Sequence, residues 1–112
     1  MKLLKYTLVS NNKVMNDEEL PYVETSEKIT FKLDQDIYEF HKNSCSLIKK
    51  TKEGKITIDF NKSLIVIEVS GVGSFDLPIK VKNKYVSSKS IELKYITKTE
   101  EKIENDIKIN LV

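Results

Sequence analysis

His41 and Cys45 are the only histidine and the only cysteine in the chain. A single imidazole can act as a general acid or base, and a single thiolate as a nucleophile, but each needs a positioned partner. Neither has one nearby in sequence. His41 falls on the outward parity of its segment beside Lys42 and reads as a solvated surface residue. Cys45 falls on the inward parity and reads as a small buried hydrophobe. Asp34 and Asp36 flank Gln35 as at the start of a cation-binding loop. The glycine and closing glutamate of such a loop are missing, which leaves an acid-rich hairpin turn. Gly71-Val-Gly73 lacks the third glycine, the following helix and the lysine of a phosphate cradle. Asp17, Glu18 and Glu19 follow Asn16 and precede Pro21, the order expected of a short capped helical turn near residues 16–20. No catalytic constellation emerges and no metal-ligand set can be assembled, so the expectation is a non-enzyme with no cofactor and no metal.

The elements that would position these residues are strands. From Ile29 to Val112 apolar and polar residues alternate, as in Ile29-Thr-Phe-Lys-Leu33 and Ile107-Lys-Ile109, and only a pleated strand sends neighbours to opposite faces. Strands are expected over 3–9, 28–33, 37–41, 45–48, 55–60, 63–69, 75–81, 90–96 and about 103–111. Asn11-Asn12, Asp34 to Asp36, Thr51 to Gly54 and Asn61-Lys62 supply turns, and Ser70 to Ser74 a corner. Short connections favour an antiparallel meander. Eight or nine strands at this spacing predict one all-β domain over 1–112, a single up-and-down barrel or a strongly curled meander. Pro78 cannot donate to a ladder and marks an edge, a bulge or a gap in closure.

The inward parity collects bulky residues in every strand, among them Leu4, Tyr6, Phe31, Tyr38, Phe40, Phe75, Tyr95 and Ile109. Such side chains can fill a barrel of this size or leave room for one small ligand. Both readings stay open. In the second, Tyr38, Phe40 and Tyr95 line a mouth. The turns at Lys42-Asn43, around Lys62 and at Lys82-Asn-Lys84 hold no acid and fall at one end of the meander. Lys62, Lys82 and Lys84 would then form a rim for an acidic headgroup. Ile37, Ile48, Leu64 and Val66 fall on the outward parity, and an apolar cluster there implies a covering segment or a second subunit.

The 19 basic residues are balanced by 17 acids, for a formal net charge of +2. That is too little to argue for a polyanion, and nucleic acid is not an expected partner. Every basic residue is lysine, so bidentate guanidinium clamps are excluded. One thiol fits a reducing cytoplasm, and no apolar run approaches the ~18 residues of a membrane-spanning helix.

Phe31-Lys-Leu-Asp-Gln-Asp-Ile-Tyr-Glu-Phe-His41, with Gly73-Ser-Phe-Asp-Leu-Pro-Ile-Lys-Val81 and Ser90-Ile-Glu-Leu-Lys-Tyr95, resembles the YwiB-like group of small calycin-like barrels from Gram-positive bacteria and their wall-less relatives. Tyr38 matches its tyrosine after the first turn; Gly73, Phe75, Leu77 and Ile79 match its glycine-led strand. The Ser-Gly-Val-Gly corner departs from the group's Thr-Pro-Tyr-Gly. The resemblance implies a lipocalin-like closed barrel and brings no activity. Two expectations follow: a barrel binding a small apolar or amphipathic anionic ligand at one mouth, or an interaction module or homodimer docking through Ile37, Ile48, Leu64 and Val66 around a filled core.

Overall fold

Asn11 and Asn12 take φ values of 49° and 66°, the pair of positive angles that a two-residue type I′ turn demands and that asparagine tolerates well. The turn reverses the chain between β1 (Leu3–Ser10) and β2 (Lys13–Glu24). The expected helical turn at residues 16–20 is therefore corrected: these residues are strand. Asp17 lies opposite Thr7 and Glu19 opposite Lys5 across the ladder. A helix there would forfeit those inter-strand bonds for a single turn's worth of its own.

The computed structural model describes residues 2–112. The remaining strands are β3 (Lys28–Leu33), β4 (Asp36–His41), β5 (Ser46–Lys50), β6 (Gly54–Asp59), β7 (Leu64–Val69), β8 (Gly73–Val86), β9 (Ser90–Thr97) and β10 (Glu104–Leu111). Successive strands pair antiparallel, and β1 also pairs with β10. The strand order is that of a closed, all-antiparallel, ten-stranded barrel. The meander expected from sequence is present with one strand more than the longer count. The addition is β2.

Two compact units divide the chain. One comprises Met1–Pro21 with Ile79–Val112, and the other Tyr22–Pro78. Each boundary lies inside a long strand, directly after one of the chain's two prolines.

In the first unit, hereafter the terminal unit, Leu4, Tyr6, Ile79, Ile91, Leu93, Ile107 and Ile109 are all buried to within 2%. Cross-strand register explains the packing: Tyr6 faces Ile109, which faces Ile91, and Leu8 faces Ile107, which faces Leu93. Each such aliphatic taken from water contributes roughly 1.5–3 kcal/mol. The turn expected at Lys82-Asn-Lys84 is also corrected. These residues continue β8, with a register shift between Val81 and Asn83. The extra residue breaks the alternation, so Lys84 lies opposite the core residue Leu93.

In the second, central unit, residues 22–78 run through β3 to β7 with the adjoining parts of β2 and β8. Gly54 is required by close approach. A Cβ built there would lie 1.9 Å from the Glu68 carbonyl oxygen, a backbone atom that cannot step aside. Cys45 is buried at positive φ (47°) at the entry to β5, and its carbonyl accepts from the Phe60 N–H at 3.0 Å.

Candidate functional site

The sequence Leu47-Ile48-Lys49-Lys50 puts Leu47 and Lys49 on one side of β5 and Ile48 and Lys50 on the other. Leu47 is core. Lys49 therefore shares the core-facing side of the central unit, and the register continues that row: Phe31 opposite Tyr38, Tyr38 opposite Lys49, Lys49 opposite Ile56, Ile56 opposite Ile67 and Ile67 opposite Phe75. Burial fades along it. Phe31 is 2% exposed and Tyr38 8%, Ile56 and Ile67 are partly exposed, and Phe75 reaches 55%. In the neighbouring row Ile29, Phe40, Leu47 and Ile65 are buried, while Ile58 and Leu77 are partly exposed. Phe75, expected inside, keeps the inward register and yet meets solvent. Its place as the third residue of a strand that starts at Gly73 accounts for that.

At the closed end of the row, Phe31 and Tyr38 stack with ring centroids 5.2 Å apart and planes within 8°. The Lys49 ammonium stands 5.8 Å from the Tyr38 centroid, near the outer limit of cation–π attraction. Asp36 approaches it at 3.7 Å, and the Lys49 side chain keeps 37% of its surface. Burial pushes the Tyr38 hydroxyl above its ordinary value, against the opposing pull of Lys49. The row thus offers one cation beside an aromatic stack, followed by aliphatic side chains that are not fully covered. That suits an anionic head and an apolar tail. It offers no nucleophile–base pair.

The outer side of the same strands carries a different cluster. Glu39 lies between Thr30 and Ile48 across the ladder, its side chain only 9% exposed. His41 Nε2 is 3.0 Å from one carboxylate oxygen, and the Lys28 and Lys50 ammonium groups donate to the other at 3.3 and 3.1 Å. Burial raises the Glu39 pKa, but the hydrogen bonds from His41, Lys50 and Lys28 outweigh it and bring the carboxyl down to about 2. A carboxylate so stabilised is a permanent anion at physiological pH, a structural anchor and not a proton carrier.

The ligand residues expected from sequence divide. Tyr38 belongs to the graded row. Phe40 is fully buried in the adjacent one, and Tyr95 is a core residue of the terminal unit, its hydroxyl pushed up to about 12 by burial. Lys62 sits exposed in the β6–β7 turn, where the Asp59 carboxylate accepts from its backbone N–H. Lys82 lines a groove of about 420 Å³ in the terminal unit with Lys94, Lys108, Glu92 and Asp106. Lys84 lies elsewhere on β8, opposite Leu93. The shared rim of Lys62, Lys82 and Lys84 rested on all three occupying turns, and β8 removes two of them.

Ile37, Ile48, Leu64 and Val66, by contrast, all fall on the outer side of the central unit. Ile48 and Val66 are both opposite Thr57. Ile37 is 41% exposed, and Ile48, Leu64 and Val66 are partly exposed. An open concavity of about 570 Å³ lies nearby, lined by Lys50, Lys55, Glu68 and the residues around Gly54 and Gly73.

Lys49 and Glu39 were the residues missed. Parity from Leu47 was enough to find the first. The two-residue turn after Leu33 was enough to place Glu39 beside Thr30 and His41 opposite Lys28. Among the described residues, no group of three or more histidine, cysteine, aspartate or glutamate side chains is placed to hold a metal, and no helix is long and apolar enough to cross a membrane. No protein-family model matches the sequence, and no curated protein matches it.

Proposed function

We propose that the protein is a non-catalytic binding barrel whose central unit takes an amphipathic anion on its core-facing side. A carboxylate or phosphate head exchanges for Asp36 at the Lys49 ammonium. The apolar tail lies along Ile56, Ile67 and Phe75. The observation that carries this reading is the single inward lysine, third in a row whose burial falls from Phe31 to Phe75. The cation stands beside aliphatics and an aromatic stack, yet keeps 37% of its side-chain surface, so its ammonium reaches water while its stem lines the row. Here Asp36 compensates it loosely, at 3.7 Å, and leaves the ammonium able to change partners.

A dansyl-labelled medium-chain fatty acid tests the proposal by fluorescence titration. Saturable binding is expected, weakened about tenfold or more by Lys49→Met, since charge-assisted hydrogen bonds are the strong ones. The corresponding labelled alcohol should bind both proteins alike. Absence of saturable binding, or an unchanged affinity in Lys49→Met, would overturn the reading.

A further inference from the structure

β2 and β8 each exchange neighbours at a proline. β2 pairs with β1 as far as Pro21 and with β3 from Tyr22; β8 pairs with β7 as far as Pro78 and with β9 from Ile79. Among the described residues, no position on either strand is paired on both sides. The sheet of the terminal unit, in the order β2, β1, β10, β9, β8, therefore ends in two open edges, residues 13–21 and 79–86. Such an edge presents a row of backbone N–H and C=O groups ready to pair with another chain.

The two edges differ in charge. Residues 79–86 hold Lys80, Lys82 and Lys84 and no acid, whereas residues 13–21 hold Asp17, Glu18 and Glu19 against Lys13 alone. Lysines and the bulge at Lys82 are also devices by which a sheet refuses unwanted strands. Charge refuses only its like, however, and a carboxylate directly across the ladder turns the same lysine into an attraction. Two further features of the β8 edge are not those of a guard. Tyr85 and Val86, 51% and 43% exposed, are large apolar side chains left at an open edge. The groove of about 420 Å³ adjoins it, with Lys82 and Asn83 in its wall.

We propose that residues 79–86 dock an extended, acid-bearing segment of a partner protein, which adds to the sheet of the terminal unit as a further strand. Its backbone completes the ladder and its alternate carboxylates meet the lysines, so that main-chain bonds give affinity and side chains give specificity. A basic segment is repelled here. A phosphate polyanion answers the lysines but has no use for the open row of amides and carbonyls. The inference rests on β8 alone and does not depend on ligand binding at Lys49.

Fluorescence anisotropy with a labelled peptide of alternating valine and glutamate tests it. Saturable binding is expected, with a dissociation constant that rises with salt. The same peptide N-methylated at alternate residues cannot donate to the ladder and should bind about tenfold or more weakly. The double variant Lys80→Glu with Lys82→Glu, at two exposed positions, should lose the glutamate peptide by a similar factor and gain its lysine counterpart. That gain, with circular dichroism matching the wild type, certifies that the variant is folded. Hydrogen exchange should slow over residues 79–86 and not over residues 13–21 when the peptide is bound. Equal binding of the N-methylated peptide or of an oligothymidylate would reduce the edge to a patch of charge and overturn the proposal. An unchanged affinity in the double variant would do the same, as would a wild type that binds no peptide because the acidic β2 edge of another copy already fills β8. Fatty-acid titration of the double variant reports separately on the ligand reading, since Lys49 is untouched.

Discussion

The terminal and central units are built from the same alternating pattern, and they use it differently. In the terminal unit the core-facing side of β9 and β10 is nearly all buried, with Thr97 and Asn105 its polar members; only beyond the β8 bulge do Lys84 and exposed Val86 oppose Leu93 and Ile91, and outer charges stand half-exposed in pairs such as Lys5 with Asp17 at 3.4 Å. In the central unit a lysine occupies a core-facing position, burial fades along its row, and the outer side encloses a carboxylate. Strict alternation with full burial yields a packed wall. Loosened alternation leaves a cation and partly covered aliphatics within reach of a ligand. The difference directs a search for function to the stretches where the two-residue pattern is least well obeyed.

The largest expected effect separates the two walls directly. Leu93→Ala, at a fully buried position of the terminal unit, should cost about 3 kcal/mol, the transfer term and the cavity together. Ile67→Ala, at a partly exposed position of the graded row, should cost less, about 1.5 kcal/mol, since part of its surface is already wet. Urea denaturation with unchanged slope measures both. Equal losses would erase the distinction.

An intermediate effect concerns Glu39. Its carboxyl titrates at about 2, below the ordinary 4.5. Its contribution is therefore complete above about pH 4.5 and is lost as the pH falls through about 2. Lys28 and Lys50 keep 39% and 46% of their side-chain surface, so water screens the cluster and the contribution is set at about 2 kcal/mol. Glu39→Gln should lower stability by that amount at neutral pH and flatten the decline between about pH 4.5 and 2. A pH series of thermal melts checks it; parallel curves for variant and wild type would show that the cluster is an exposed ion pair like those of the terminal unit.

The smallest effect sharpens the other side of the contrast. Lys5→Gln removes one member of a pair with both partners about half exposed and should change stability by no more than about 0.5 kcal/mol. A loss matching that of Glu39→Gln would mean the outer sides do not differ.

Much of the barrel could be read in the residues because its strands carry one wet and one dry side, the condition under which alternation is informative. Ile29 to Leu33 and Ile107 to Leu111 are of this kind. The pattern failed where that condition fails. β2 is exposed over most of both faces, so Asp17, Glu18 and Glu19 resembled a helix start, and only the Asn11-Asn12 turn hinted at a hairpin. In β8 the bulge at Lys82 shifts the parity, and a strand passed for a charged turn. Of the expected ligand set only Tyr38 stands in the candidate row. Lysines were sought in turns, where they are usual, while the informative one lay in a strand. Glu39 escaped for a related reason: outward parity implies solvent unless neighbours on both flanking strands lean over the group, as Lys28 and Lys50 do.

Methyl-resolved NMR titration with decanoate asks the central question at its source. The account predicts saturable shifts at Ile56 and Ile67, with Ile91 and Ile109 of the terminal unit unmoved, and predicts that Lys49→Met weakens the titration. Shifts spread evenly over both units, or none at all, would contradict it.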